Sequence, residues 1–151
     1  MTTLEFVPYL SVTDAKEAVA FYSRVFETEP TLLLNMPDGR VMHCEFRVGG
    51  ARFFVSEELL EHGGTPSPTS LGRTSVAIHL YVEDCDAMVA TMTTNGAQIL
   101  MAPADMFWGE RFARVRDPFG HEWGITKHLR DMPPAEIQSA VAKMFEDTSK
   151  S

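Results

Sequence analysis

Basic residues are scarce in this chain. Thirteen lysines and arginines stand against 21 aspartates and glutamates, a net charge of −8 over 151 residues. Phosphate binding wants a basic face, so the charge argues against nucleic acid as the main partner, although Arg111, Arg114 and Arg116 come close together. The acidic excess reads as a solvated surface. Cysteine is nearly absent. Cys44 and Cys85 stand alone, outside any CxxC, and read as reduced core thiols rather than a disulfide or a metal site. No apolar run approaches the length of a bilayer span. The start, Met1-Thr2-Thr3-Leu4-Glu5, lacks the basic region and apolar core of a signal peptide. The expectation is a soluble cytoplasmic protein with no membrane partner. No glycine-rich loop leads from a strand into a helix to cradle phosphate, and Ser56 and Ser75 have no visible triad around them.

What is present is a repeat. Val12-Thr13-Asp14 opens one helical stretch and Val82-Glu83-Asp84 another, with the aspartates seventy residues apart. Gly50 and Gly120 precede strand-like runs at the same offset, and Leu10/Leu80, Val19/Val89, Gly39/Gly109 and Phe53/Trp123 follow it too. Each pair also sits at the same place in the local pattern. Paired modules can enclose a site between them. A composition of 44% hydrophobic and 23% charged residues suits one domain with a sizeable core.

The first module, 4–56, reads strand, helix, three strands. Phe6 to Val12 is a mostly apolar strand. Asp14 can cap the next helix, with Glu17 completing a capping-box-like pair. Ala18, Val19, Tyr22, Val25 and Phe26 form the helical stripe, and Pro30 prevents its continuation. Thr31 to Met36 is a strand, and Pro37-Asp38-Gly39 a hairpin turn. Arg40 to Val48 and Ala51 to Ser56 are strands either side of Gly49-Gly50. Residues 57–74, rich in glycine, proline, serine and threonine, form the linker. The second module, 75–128, repeats the order. Ser75 to Val82 is a strand; Asp84 caps a helix with a stripe of Cys85, Met88, Val89 and Met92, stopped by Asn95-Gly96. Gln98 to Ala102, Phe112 to Arg116 and His121 to Lys127 are the later strands. Residues 129–151 hold a terminal helix from Pro133-Pro134, with Ile137, Val141 and Met144 or Phe145 as its apolar side, and a frayed end at Asp147 to Ser151. The fold class is α+β: two βαβββ modules, each sheet carrying its helix on one face and curving around a cavity with the other.

Several motifs match a known group. They are Pro8-Tyr9-Leu10, Ala18-Val19-Ala20-Phe21-Tyr22 with Val25-Phe26, Met42-His43-Cys44-Glu45, Phe107-Trp108-Gly109-Glu110-Arg111, Asp117-Pro118-Phe119-Gly120-His121-Glu122-Trp123, and Pro134-Ala135-Glu136. Together they cover nearly the whole chain, which resembles the vicinal oxygen chelate superfamily of glyoxalases, bleomycin-resistance proteins and extradiol dioxygenases, and within it the PhnB-like branch. The resemblance implies a homodimer of paired modules. It implies little about chemistry, since one scaffold hosts many reactions. The superfamily's metal enzymes place ligands on the first and fourth strands of each module. The strand landmarks put those positions at Val7, Phe54, Ala77 and Gly124, none of which can ligate a divalent metal. No metal and no cofactor is therefore expected.

Other residues have a chemical case. Side chains two apart on a strand share a face. By that rule His79 and Glu122 look into the cavity, and Phe46 and Val48 as core turn His43 and Glu45 the same way. Two histidines and two carboxylates on one concave surface would suit acid–base catalysis by His43, His79 and Glu122, or a displaced metal site. The offset pairs Glu45 with Val115, which fits this facing poorly. Tyr9, Glu45 and Phe54 are candidate ligand contacts. Phe107, Trp108 and Arg111 suit a pocket rim that stacks on a flat ligand and meets its polar edge; the alternative has Trp108 plugging the sheet end and Arg111 paired with Asp105 or Asp117. Trp123 reads as core and His121 as a structural histidine. The leading functional expectation is a metal-independent protein binding a small, partly aromatic or polar molecule. The alternatives are a lyase or isomerase using a displaced metal or the His/Glu group, and an interaction module without ligand chemistry.

Overall fold

Asp14 and Asp84 do start helices, and the strands follow in the order the repeat implies. A computed structural model describes residues 3–148. Its elements are β1 (Tyr9–Val12), α1 (Ala15–Val25), β2 (Leu32–Asn35), β3 (Val41–Val48), β4 (Ala51–Glu57), α2 (Pro68–Leu71), β5 (Ala77–Tyr81), α3 (Cys85–Thr94), β6 (Gln98–Asp105), β7 (Glu110–Arg116), β8 (Glu122–His128) and α4 (Pro134–Thr148). The Asp14 carboxylate accepts from the Glu17 N–H at 3.2 Å and Asp84 from the Ala87 N–H at 3.0 Å, satisfying donors that a helix start leaves free. A further donor of α1, the Ala15 N–H, goes to Glu57 at 3.0 Å, so the last strand of the module helps cap its helix.

The two sheets have the orders β1-β4-β3-β2 and β5-β8-β7-β6. In each, the first and fourth strands run parallel and the other pairs antiparallel. The fold is thus α+β, with two four-stranded mixed sheets that do not close on one another. Leu10, Val12, Cys44, Phe46, Phe53 and Val55 from one sheet, and Ala113, Val115, Trp123 and Ile125 from the other, point to the helix side. They merge with α1 and α3 into one core. Among the described residues no helix is long and apolar enough to cross a membrane.

Several boundaries differ from the sequence reading. The first strand begins at Tyr9, not Phe6, and Phe6 is 97% exposed; Pro8 has no N–H to contribute to a ladder. Strand β6 continues through Pro103 to Asp105, which is tolerated because β6 is a sheet edge. The linker forms a 3-10 turn at Leu60–His62 and the short α2, capped by Ser67. Helix α4 extends to Thr148, where fraying was expected from Asp147; residues 149–151 lie outside the described residues. No other described helix or strand lies alongside α4.

The repeat offset is not uniform, and this resolves the Glu45 discrepancy. Leu34 pairs with His43 but Asn35 with Val41, so Met42 is an extra, bulged residue in β3. The second module has no such bulge there: Ala104 pairs with Phe112 and Asp105 with Arg111. It recovers the count in the longer turn before β8. Past the bulge β3 and β7 are related by 69 residues, while β4 and β8 keep 70. The partner of Glu45 is therefore Arg114, on the open face, and Val115 matches Phe46 in the core.

Asp117 holds the modules together. It is 3% exposed. Its carboxylate accepts from the Tyr22 O–H at 2.5 Å and the Trp123 Nε1–H at 2.9 Å, and from the Phe119 and His121 N–H groups at 2.9 and 3.0 Å. Tyr22 comes from α1 of the first module and also meets the Trp123 ring at 6.0 Å. Replacing Asp117→Ala strands four donors, each costing about 1–3 kcal/mol when buried and unpaired. Chemical denaturation should then show a loss of about 3 kcal/mol or more, and Tyr22→Phe a loss of about 1 kcal/mol. The Tyr22 phenol is pushed well above its ordinary 10.0 by burial first and by the Asp117 charge next. Its stabilisation is present below the unfolded value and lost as pH rises toward the folded one. Stability should therefore fall above about pH 10, and less steeply in Tyr22→Phe.

Candidate functional site

With the helix sides joined, the opposite face of each sheet is open. On the first module it carries Tyr9, His43, Glu45, Arg52 and Phe54, as alternation along β1, β3 and β4 requires. These side chains form a connected row. The Tyr9 hydroxyl lies 2.6 Å from His43 Nδ1, and His43 Nε2 lies 3.1 Å from Glu45 Oε2. Arg52 Nη1 donates to Glu45 Oε1 at 3.4 Å, and its Nε and Nη2 donate to Glu5 at 2.7 and 3.0 Å. Its guanidinium lies 5.3 Å from the centre of the Phe54 ring, which meets Tyr9 edge-on at 5.5 Å. Glu5 is held below its usual carboxylate value by the hydrogen bond from Arg52.

The second module's face carries different chemistry at matching places. His79 Nε2 lies 2.7 Å from the buried Thr126 hydroxyl, and the Phe112 ring stacks near it at 5.8 Å. Arg114 and Arg116 both donate to Glu122, at 3.3 and 3.4 Å. Trp108 Nε1 donates to Glu110 at 2.8 Å, and the Trp108 ring meets Phe112 at 6.0 Å. Tyr81 has its phenol pKa raised, first by its hydrogen bond to Glu110. Gly124 forms the floor: a Cβ there would come 3.0 Å from Phe112 and 3.1 Å from His79.

Superposing the repeat on this geometry shows a charge reversal. Glu45 pairs with Arg52 in the first module; the corresponding Arg114 pairs with Glu122 in the second. The sequence conceals this because the two partners are related by different offsets, 69 and 70.

The expected site residues thus divide into separate groups. His43 and Glu45 come together, joined by Tyr9 and Phe54. His79 and Glu122 lie on the other sheet, so the four do not share one surface within a chain. Phe107 packs edge-on against Trp108 at 4.9 Å, and Trp108 leans over the open face. For Arg111 the structure shows the structural alternative, the pairing with Asp105. Arg111 shares the core-side parity of Ala113 and Val115, and donates to Asp86 of α3 at 2.6 and 3.0 Å and to Asp105 at 2.9 Å. Asp86 raises the Arg111 pKa further above its usual value, and the hydrogen bond from Arg111 lowers that of Asp86. Arg111 ties the hairpin to the helix and does not meet the face bearing Trp108. The sequence reading missed Arg52 and Arg114; the alternation that placed Glu45 and Glu122 would have placed them too. His121 is structural, as expected: its Nε2 meets the Ser11 carbonyl at 2.9 Å.

The metal positions also shift. The residues level with Phe54 and Gly124 are Tyr9 and His79, not Val7 and Ala77. Of these four only His79 offers a good ligand, and its Nε2 is engaged by Thr126. Among the described residues no group of three or more His, Cys, Asp or Glu side chains is arranged to hold a metal ion. This donor set does not fit a divalent metal. Beside Tyr9, a groove of about 550 Å³ runs between the free edges of β1 and β5, lined by Pro8, Tyr9, Leu71, Val76, Ile78 and His121 among others.

Comparison with known proteins agrees with the architecture. The sequence model of the Glyoxalase/Bleomycin resistance protein/Dioxygenase superfamily matches residues 4–125. Uncharacterized proteins of Mycobacterium bovis and Mycobacterium tuberculosis are 36% identical over 137 residues, covering 89% of this chain and 90% and 81% of theirs. The crystal structure of TioX from Micromonospora sp. ML1 is 30% identical with a TM-score of 0.63, covering 84% of this chain and all of that one. A PhnB protein from Bacillus cereus shares the fold at 20% identity and a TM-score of 0.63, over 82% of this chain and 99% of its own.

The cysteines lie away from the open faces. Cys44 and Cys85 are buried, and burial first, with the Glu45 charge, pushes the Cys44 thiol up to about 11. The native protein at pH 8 should resist a disulfide-exchange reagent, both thiols reacting only in denaturant. Rapid native labelling of Cys44 would show that its thiol is accessible and not buried.

Proposed function

Because the chain belongs to the Glyoxalase/Bleomycin resistance protein/Dioxygenase superfamily, we propose that it binds a small, partly aromatic and polar molecule against its open sheet faces, without a metal. The observation that carries this reading is the make-up of those faces. Tyr9, Phe54, Trp108 and Phe112 offer ring surfaces, and the ion pairs Glu45–Arg52 and Glu122–Arg114 offer polar edges beside them. Such a mixture of apolar wall and few placed polar groups suits a ligand site. The unsuitable donor set at Tyr9, Phe54, His79 and Gly124 supports binding without a metal.

One copy leaves these faces uncovered, and a homodimer would cover them. Leu32, Leu33 and Leu34 on β2, and Ile99, Leu100 and Met101 on β6, are each more than a third exposed. Both strands are sheet edges, as are β1 and β5. Exposed apolar edges invite pairing with another chain, and a closed two-fold assembly is the commonest solution. Light scattering at micromolar concentration should report a dimer; a stable monomer would remove this part of the proposal.

Trp108 supplies the ligand test. It leans over the open face, whereas Trp123 is buried. With 8-anilinonaphthalene-1-sulfonate as a flat polar aromatic probe, Trp108→Ala should weaken binding by about 1 kcal/mol while leaving the melting temperature nearly unchanged. A large stability loss with unchanged probe affinity would make Trp108 part of the scaffold instead.

A further inference from the structure

The row Tyr9–His43–Glu45 has a defined proton order. Glu45 accepts from the Arg52 guanidinium, and an ionised carboxylate can only accept hydrogen bonds. His43 Nε2, 3.1 Å from Glu45, must then carry the proton. In the neutral ring that leaves Nδ1 as an acceptor, and the Tyr9 O–H at 2.6 Å as its donor. Behind the phenol, therefore, stands a free basic nitrogen, and behind that a carboxylate suited to an imidazolium. This is the logic of a nucleophile–histidine–carboxylate relay with a tyrosine at its head. Arg52, itself anchored by Glu5, keeps Glu45 in place.

The head of the row is accessible. Tyr9 is 52% exposed, while the side chains of His43 and Glu45 are about four-fifths covered. Tyr9 also lies at the lip of the groove between β1 and β5, and the Phe54 ring stands beside it. The phenol oxygen itself reaches across β4 toward His43 on β3, so a flat molecule seated on the open face beside the Phe54 ring would bring its edge to that oxygen, whose remaining lone pair is free to accept. Arg52, the guanidinium of the row, is committed to Glu5 and Glu45 and is not free to hold a developing oxyanion. The substrate must therefore be acidic enough to need only a base. An aromatic 1,3-dicarbonyl compound meets both conditions.

We infer that Tyr9, His43 and Glu45 form a proton-transfer centre that interconverts the keto and enol forms of an aromatic 1,3-dicarbonyl or comparably acidic carbon acid. The C–H bond between the carbonyls breaks and its proton goes to the Tyr9 oxygen, while the Tyr9 proton passes to His43 Nδ1. The electron pair delocalises onto a carbonyl oxygen, and Glu45 faces the imidazolium. The enolate oxygen then takes a proton from Tyr9, and His43 returns its own to Tyr9. The substrate leaves as the enol and the protein is unchanged. Tyr9 is the catalytic residue; His43 and Glu45 act through it. This deepens the binding reading and rests on it.

The test uses 2-acetyl-1-tetralone, with enol formation followed by ultraviolet absorbance and binding followed separately by quenching of protein fluorescence. The intact protein should accelerate enol formation by about a hundredfold or more over buffer, the range of positioned acid–base catalysis. Tyr9→Phe should abolish the acceleration with binding unchanged. His43→Gln, which can still accept from Tyr9 but cannot take its proton, should lower kcat strongly at constant KM. Both variants should keep the wild-type melting temperature. Binding without acceleration overturns the proton-transfer centre and leaves the binding reading standing. Absence of binding overturns both for this ligand class. Acceleration that survives in Tyr9→Phe, or full kcat in His43→Gln, shows the row to be a structural hydrogen-bond network.

Discussion

A carboxylate taken out of water needs a donor for each of its lone pairs, because an unpaired buried charge is among the costliest defects a fold can carry. Asp117 meets that demand with groups from both halves of the molecule. Two backbone N–H groups of its own turn occupy one oxygen, and Trp123 and Tyr22 occupy the other. Tyr22 can reach it only if α1 packs against the second module. This satisfied carboxylate is therefore a specification of how the modules meet. They join helix side to helix side, and the sheet faces are turned outward.

That arrangement determines where chemistry can occur. Residues on the helix side are consumed by packing, as Arg111 illustrates: it lies in the same motif as Trp108 but is taken by Asp86 and Asp105. Residues on the other side keep ring faces and polar atoms available. Each open face stabilises its charges in pairs. The partially exposed setting makes those pairs modest contributors to stability, so their value is positional: Arg52 orients Glu45, and Glu45 orients His43.

The two modules share a backbone plan yet have diverged on their open faces. One extra residue in β3, the bulged Met42, is offset by the longer turn before β8. The parity of the strands is preserved and the core is undisturbed. Tyr9, His43 and Phe54 in one module correspond to His79, Phe112 and Gly124 in the other, and the ion pair reverses sign. A scaffold with a common core and dissimilar faces can present two sets of contacts to an asymmetric ligand.

Element order, helix starts, the paired modules, the burial of Trp123 and the open-face positions of His43, Glu45, His79 and Glu122 were all legible in the sequence. Those features depend on local rules: side-chain alternation, capping aspartates and turn residues act over a few positions and leave a trace there. The start of β1, the continuation of β6 and the true level of Tyr9 and His79 against β4 and β8 depended on ladder register, which a single bulge or proline shifts. Partner choice lay further still from the sequence. Whether His43 meets His79 or Tyr9, and whether Arg111 meets a ligand or α3, is decided by which sheet and which face the tertiary packing brings together. The sequence by itself determined what each module would be. Only the tertiary structure decided that the modules join through Asp117 and Tyr22, because that contact spans 95 residues and no local pattern encodes its geometry.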